Sequence, residues 1–572
     1  MKTYFQRGRL LVPGFFLVAS VVIDAGEPST RLFLSPDSPA LSEVSVPLLH
    51  EEVPEHRLSG GGLSLLPETG PYEWTKVGPT RDIFRLKLRV EADQFAYAVL
   101  TVWNWQNFPV QQIRIEAGKE ELLEIEISAL GTYLLTLDGF QGDRFTKRLI
   151  RNIAVTRDVN HARKSWKKEE FFVGICAFPG RYHWKPGGIP TLPTGLSEEK
   201  ARDREAALIA RLGLQVVRTD ESLEMGRKQS GGNETYFFHF DRMDAALRSY
   251  TSRGFQLVLQ TMNAADWAVL PKYADKGNFR WQYPHQETPQ RAYLAALVER
   301  YRDVTRFVQI SNEPDQIGYW AGTNDEFVTQ FVFSQDEVRK VAPELPLTYG
   351  GYSVVDEVKS QYFLQKLHSL VDFPTYNAHG NLEDYKRSFA TMKRLQKLAG
   401  DPSDRWINTE TGYSAWRLEQ ERRQAQIDAQ KVLYSWANGH AGVLLFCSRM
   451  TRGPGRDGTP DFGFVDYQFS PRFVYGAIAA LTSTLTGASF ERVFVESAAE
   501  HLYVFRRGND LILAGFTLGE EGSLTISTDA KEVVPMDEMG NERSPQTGGR
   551  VTLDLIAYPR YWVLRDATVV EE

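Results

Sequence analysis

Two glutamates stand where apolar, β-branched runs give way to loops: Glu313 in Gln309-Ile310-Ser311-Asn312-Glu313-Pro314 and Glu410 in Trp406-Ile407-Asn408-Thr409-Glu410-Thr411-Gly412. Cleavage of a glycosidic bond with retention uses such a pair, held about 5 to 5.5 Å apart, one carboxyl protonated and the other ionised. The acid assists departure of the leaving oxygen, and the carboxylate attacks the anomeric carbon. Surroundings separate the roles, because a second carboxylate nearby raises the acid's pKa while a cation or hydrogen-bond donor keeps the nucleophile charged. Arg218, in Val216-Val217-Arg218-Thr219-Asp220, is the candidate cation. His379, in Tyr376-Asn377-Ala378-His379-Gly380, is the candidate hydrogen-bonding neighbour, with Tyr376 as a second.

These residues are far apart in the chain, so a fold must bring them together. From residue 168 to 488, short apolar runs alternate with stretches of helical period. The strand-like runs are Phe171–Phe178, Leu214–Thr219, Phe255–Thr261, Phe307–Ser311, Leu345–Gly350, Phe373–Ala378, Arg405–Thr409 and Ala441–Cys447. A helix candidate follows each one: Ser197–Leu212, Phe240–Arg253, Thr288–Val304, Asp325–Val341, Asp356–Val371, Leu382–Ala399, Glu419–Asn438 and Pro471–Thr486. Gly213, Gly254 and Gly400 read as stop signals just past helix ends. Eight βα units in succession predict a TIM barrel, an α/β fold whose functional groups collect at the carboxyl ends of the strands. Glu313 then ends the fourth strand and Glu410 the seventh. Strict alternation sends Asn312 and Glu313 to opposite sides, so both face one ligand only if the strand twists or bulges there. Pro314 favours a strand ending at that point.

With Asn312-Glu313-Pro314 on strand four and Thr409-Glu410-Thr411-Gly412 on strand seven, the chain resembles the clan A glycoside hydrolases. In that clan the acid/base is a Glu following Asn at strand four, and the nucleophile is a Glu at strand seven. The layout, with β-rich segments flanking the barrel, is similar to families 39 and 5. The resemblance covers the barrel segment. It implies a retaining hydrolase acting on β-linked bonds of an oligo- or polysaccharide, with Glu313 as acid/base and Glu410 as nucleophile. It also implies that Asn312 hydrogen-bonds the hydroxyl beside the anomeric carbon. The clan commonly has Trp near the end of strand eight; here Leu445-Phe446-Cys447-Ser448 stands instead, which puts that sugar contact in question. Two other readings stay open: a transglycosylase, in which an acceptor sugar replaces water, and a catalytically silent carbohydrate-binding or scaffold protein.

Aromatic residues cluster in the loops that follow the strands: Trp184, Trp267, Trp281, Trp320 and Trp416. Sugar rings offer C–H faces that stack on aromatic faces, so Trp416, Trp267 and Trp184 are candidate platforms. Each would equally suit packing a loop against the barrel. The loop Ser448–Ser470, with Arg449, Arg452, Arg456, Asp461 and Asp466, reads as a rim or lid that selects substrate.

At 572 residues and 42% hydrophobic, the chain suffices for two or three domains. A formal charge of −7 and a pI near 5.9 provide no basic field for nucleic acid or an anionic membrane. No nucleotide loop, dinucleotide fingerprint or metal-ligand spacing appears, so the expectation is no cofactor and no metal. Residues 1–26, with Lys2, Arg7 and Arg9 before an apolar stretch, read as a signal peptide, implying a secreted or periplasmic protein. Residues 30–160 alternate in the β manner and predict a sandwich, in which Trp103 and Trp105 share one face, as core or as a sugar contact. Residues 490–568 predict a small second β-rich domain. Cys176 and Cys447, on strands that barrel closure makes neighbours, read as buried thiols; a disulfide would need matching register.

Overall fold

The eight apolar runs form one parallel sheet in the computed structural model, which describes residues 29–571 apart from 47–54, 57–61, 160–170, 184–191, 450–460 and several shorter stretches. The strands are β1 (Phe172–Cys176), β2 (Val216–Thr219), β3 (Gln256–Thr261), β4 (Thr305–Ile310), β5 (Leu347–Tyr349), β6 (Thr375–Asn377), β7 (Trp406–Thr411) and β8 (His440–Phe446). They neighbour one another in the order β5-β4-β3-β2-β1-β8-β7-β6. The seam between β5 and β6 is closed by Thr348 Oγ1 donating to Phe373 O (2.9 Å), Thr375 Oγ1 to Tyr349 O (2.7 Å) and Asn377 N to Tyr352 O (2.9 Å). The expected (β/α)8 barrel is therefore present, and Glu313 and Glu410 lie at its carboxyl-terminal face.

Period-two alternation fills the barrel and builds its top. Phe172, Val216, Val258, Phe307, Ile407 and Leu444 pack as one buried cluster inside, each worth roughly 1.5–3 kcal/mol relative to exposure. Two residues further along several of these strands come polar ones: Arg218, Gln260, Gln309 and Thr409. The same strand faces thus supply an apolar plug below and a polar floor above.

The outer ring is α1 (Glu198–Ala210), α2 (Asp241–Thr251), α3 (Glu287–Tyr301), α4 (Asn324–Val341), α5 (Glu357–Leu367), α6 (Leu382–Ala399), α7 (Leu418–Ala437) and α8 (Phe473–Leu485). Helix α6 shows why these segments are helices. Leu382, Tyr385, Phe389, Met392 and Gln396 recur at three- and four-residue steps on its buried face. Asn381 and Asp384 close a capping box at its start, worth about 1 kcal/mol, and Gly400 at φ 77° ends it in the left-handed conformation. Helix α8 is buried nearly all round, because the amino-terminal domain covers the side that the barrel leaves open.

That amino-terminal domain is a two-sheet sandwich. One sheet holds strands Ser29–Leu34, Glu120–Ile127, Asp82–Val90 and Leu63–Pro67; the other is built around Tyr97–Trp103, Pro109–Glu116, Gly131–Gln141 and Arg144–Thr156. Trp103 is core, its Nε1 donating to Thr136 Oγ1 at 2.9 Å, and Trp105 Nε1 donates to Glu538 Oε1 at 3.0 Å in the carboxyl-terminal domain. Both indoles are buried, which answers the choice between core and sugar contact for this face. The carboxyl-terminal domain is a seven-stranded sheet from Ser489 to Glu571. Cys176 and Cys447 are buried thiols with no disulfide between them. Residues 1–26, read as a signal peptide, lie outside the described residues. Among the described residues no helix is long and apolar enough to cross a membrane.

Candidate active site

Strand β4 ends in a backbone that no ordinary strand has. Ser311 and Glu313 adopt φ of 72° and 40°, so the chain turns out of the pleat as the sequence required for Asn312 and Glu313 to serve one site. The turn needs room, and Gly350 at the end of β5 supplies it: a Cβ there would stand 2.7 Å from Asn312 N. A Cβ on Gly351 would overlap the side chains of Asn377 and Thr409. Strand β7 has its own irregularity, with the ladder to β8 slipping between Asn408 and Thr411, around Glu410. Bulges of this kind re-aim side chains beside active sites.

Arg218 is the hub. Its NH1 donates to Glu410 Oε2 at 2.9 Å, its NH2 to Asn312 Oδ1 at 2.7 Å and its Nε to Gln309 Oε1 at 3.1 Å. It is 3% exposed, so these charge-assisted bonds act in a desolvated setting. His379 Nε2 meets Glu410 Oε1 at 3.3 Å. Burial would push the Glu410 carboxyl up; the His379 hydrogen bond and the charge of Arg218 outweigh it and hold the group below the usual carboxylate range.

Glu313 has different company. Asn377 Nδ2 donates to its Oε1 at 2.8 Å and Gln316 Nε2 to its Oε2 at 2.6 Å. Thr409 Oγ1 donates to Asn377 Oδ1 at 2.7 Å, which orients the amide so that its nitrogen faces Glu313. Both donors favour ionisation, yet burial first and the negative charge of Glu410 second raise Glu313 to about 7. Two carboxyls from opposite parts of the barrel are thus pushed in opposite directions, the pattern of an acid paired with a carboxylate. Among the described residues no group of three His, Cys, Asp or Glu is placed to hold a metal ion.

Asn312, Glu313, Arg218, His379 and Glu410 come together as the sequence predicts. Tyr376 does not, and this is a correction. It is fully buried, its hydroxyl 2.9 Å from His440 Nε2 and its ring stacked on Phe389 of α6, so it faces the helices. Alternation explains this: Asn377 and His379, two apart, share the face toward the site, while Tyr376 takes the other. The same rule applied to the sequence would have selected Asn377, which the motif reading missed. Gln316 and Tyr319 were missed too, because only the turn after β4 brings them in; Gln309, on β4 itself, was also missed, although alternation places it two residues beyond the buried Phe307. Tyr319 is raised to about 12 by burial and then by the negative charges of Glu313 and Glu410.

Trp267 also departs from its expected place. Its ring stacks on Tyr236 at 5.9 Å, Arg227 sits 4.5 Å above it, and its Nε1 donates to Met225 O at 3.3 Å. These partners belong to a hairpin, Glu224–Ser230 with Asn233–His239, inserted between β2 and α2. Trp267 therefore anchors that hairpin. Trp320, 2% exposed, packs edge-on against Phe327, and Trp281 packs edge-on against Tyr319. Trp184 and Trp416 lie outside the described residues. At the end of β8, where the clan commonly has Trp, Phe446 packs against His379 with ring centroids 5.5 Å apart and against Phe178 at 5.6 Å.

No family model matches the chain, and no curated protein does. Among solved structures, a family 39 glycoside hydrolase from the gut symbiont Bacteroides cellulosilyticus WH2 superposes with a TM-score of 0.61 at 15% identity, covering 88% of this chain and 100% of that one. The chain has a family 39-like fold. A GH39 β-xylosidase from Caulobacter crescentus (TM-score 0.48, 14% identity, 71% of this chain and 98% of that one) and a glucosidase from Croceicoccus marinus (0.48, 12%, 71% and 96%) are more distant. The first superposition spans the flanking β domains as well as the barrel, so the likeness is one of whole architecture.

Two substitutions test the electrostatics around the pair. Arg218→Met removes the charge that holds Glu410 low, so the acidic limb of a pH–rate profile moves upward and the rate falls. Because the change also leaves a buried carboxylate without its cation, it costs roughly 3–5 kcal/mol of stability, read from thermal melts beside the profile. Asn377→Ala removes a donor that favours the ionised form of Glu313. Its pKa then rises, and the basic limb moves up by about one pH unit, since a hydrogen bond to a charged group is worth about 1.5–3 kcal/mol. A basic limb that stayed in place would take Asn377 out of the titration.

Proposed function

We propose that the protein is a retaining glycoside hydrolase that cleaves β-linked bonds by double displacement. The observation that carries this is the opposite displacement of two glutamates at the ends of β4 and β7, Glu313 up to about 7 and Glu410 down. Near neutral pH, Glu313 carries a proton to give and Glu410 a charge with which to attack.

In the first step the Glu410 carboxylate forms a bond to the anomeric carbon as the bond from that carbon to the leaving oxygen breaks. Glu313 gives its proton to that oxygen. With the proton gone, Glu313 accepts one from a water molecule, which attacks the same carbon from the face just vacated and releases Glu410. Asn312, its Oδ1 occupied by Arg218, offers its amide nitrogen to the hydroxyl beside the reacting carbon. The requirement that Glu410 be ionised and Glu313 protonated gives a bell-shaped profile. Its acidic limb rises below the ordinary carboxylate range, and its basic limb falls through about 7.

A 2-fluoro glycoside with a good leaving group tests this directly. It slows the second step more than the first, so a working nucleophile accumulates as a glycosyl ester. Peptide mapping is expected to find the added mass on Glu410. No adduct with any sugar of a broad panel, in protein shown to be folded, would return the reading to a silent carbohydrate-binding scaffold. The preference for β-linked substrates follows from the clan resemblance, and export follows from the reading of residues 1–26; secretion from an expressing cell with loss of that segment tests the latter.

A further inference from the structure

The three most exposed large apolar side chains among the described residues, Ile317 (81%), Val358 (81%) and Val355 (73%), gather in one place. Apolar residues exposed singly are ordinary; three together at the mouth of a site mark a binding surface. They line a groove of about 650 Å³ between the loop after β4 and the start of α5, within the roughly 300–1,000 Å³ of small-molecule sites. Because the amino ends of barrel helices lie where the strands end, this groove opens on the same face as Glu313 and Glu410.

The groove is a built feature. Buried Asp315, two residues beyond Glu313, accepts from Ser353 N (3.1 Å), Ser353 Oγ (3.0 Å) and Val355 N (3.3 Å), tying the loop after β4 to the loop after β5. Its other acidic side chains serve the fold: Asp356 caps α5 through Lys359 N, and Glu357 pairs with Arg394. Gln316 joins the groove to the candidate site, since it lines the one and donates to Glu313 in the other.

Resting on the function proposed above, we infer that this groove holds the substrate's leaving group, and that the leaving group is an apolar chain, as in an alkyl or lipid-type glycoside. The oxygen that receives the proton of Glu313 is the one joining sugar to leaving group, so the leaving group extends past Glu313 toward Gln316 and Ile317. A second sugar there would call for an open aromatic face, which the polar side chains of the groove, Gln316 and Lys359 among them, do not supply. Ile317, Val355 and Val358 offer methyl groups instead, and Trp320 is too buried to present a ring. The bond broken is that between the anomeric carbon and the leaving oxygen. The chain departs as a neutral alcohol carrying the proton from Glu313.

The test has two arms. In the first, an aryl-glycoside panel finds the accepted sugar, and octyl, methyl and disaccharide glycosides of that sugar are compared. The octyl glycoside is expected to exceed the methyl glycoside about tenfold or more in kcat/KM, each buried methylene contributing up to about fourfold. Ile317→Ser combined with Val358→Ser should erase that preference while leaving the methyl glycoside, whose leaving group does not reach the groove, unchanged. A disaccharide preferred over the octyl glycoside, or a preference that survives the double substitution, overturns the inference. In the second arm, which needs no turnover, methyl NMR follows labelled Ile317, Val355 and Val358 during titration with n-octyl glycosides and with the free sugars. Shifts with the octyl compounds alone support the groove as an apolar subsite even if no glycoside is cleaved, a result that would sink only the hydrolase reading. Shifts that follow protein concentration instead make the face a self-association surface and overturn the inference, as does the absence of any response.

Discussion

Glu410→Ala is expected to lower turnover about 10⁴-fold or more, because an activated nucleophile has no substitute among the neighbouring side chains. Arg218 and His379 remain in place in this variant, aimed at the position the carboxylate occupied. They leave a small, cation-lined gap on the face of the sugar opposite the leaving group. Azide is small and anionic and fits that description. Added azide should restore part of the rate on substrates with good leaving groups and give a glycosyl azide of inverted configuration, since only one displacement then occurs. Product stereochemistry by NMR decides the matter. Rescue with retained configuration would mean that another residue still forms the covalent intermediate.

Glu313→Ala should produce the second-largest effect, and its size should depend on the substrate. Removing a general acid costs typically 10²- to 10⁴-fold when the leaving group needs protonation and little when it departs as a stable anion. An alkyl glycoside is expected to lose nearly all its rate, and a dinitrophenyl glycoside much less. The pH profile gives an independent readout. Wild-type activity is expected to fall as pH rises through about 7, where Glu313 would lose its proton, and in the variant that basic limb should disappear while an acidic limb from Glu410 persists at a shifted position. If instead Glu313→Ala responded to azide with inverted product and Glu410→Ala spared good leaving groups, the two roles would be exchanged.

These expectations depend on a division of electrostatic labour that neither glutamate could achieve alone. Glu313 accepts from two amide donors and feels Arg218 only as a weaker, more distant charge, whereas Glu410 has Arg218 at 2.9 Å and His379 at 3.3 Å. Amide dipoles soften the penalty of burial without cancelling it, while a buried guanidinium reverses it. The rise at Glu313 also depends on Glu410 being charged, so the two groups titrate as a pair and each substitution is expected to move the limb assigned to the other.

The sequence by itself determined the barrel, its eight strands and helices, and the strands that carry Glu313, Glu410, Arg218 and His379. It could do so because hydrophobic period and helix-stop residues are local properties, and strand-end placement follows from them. The side of a strand is equally local: alternation turns Asn377 toward the site and Tyr376 away from it. Other features had no local signal. The left-handed turn at Ser311 and Glu313, which admits Gln316 and Tyr319 to the site, depends on the close approach of Gly350 from the next strand. The fate of Trp267 was set by a hairpin inserted two strands earlier, and that of Trp105 by a glutamate in the last domain. The roles of the two carboxyls were decided by burial and by partners distant in sequence, because a pKa is set by what lies within a few ångströms in space and chain position says little about that.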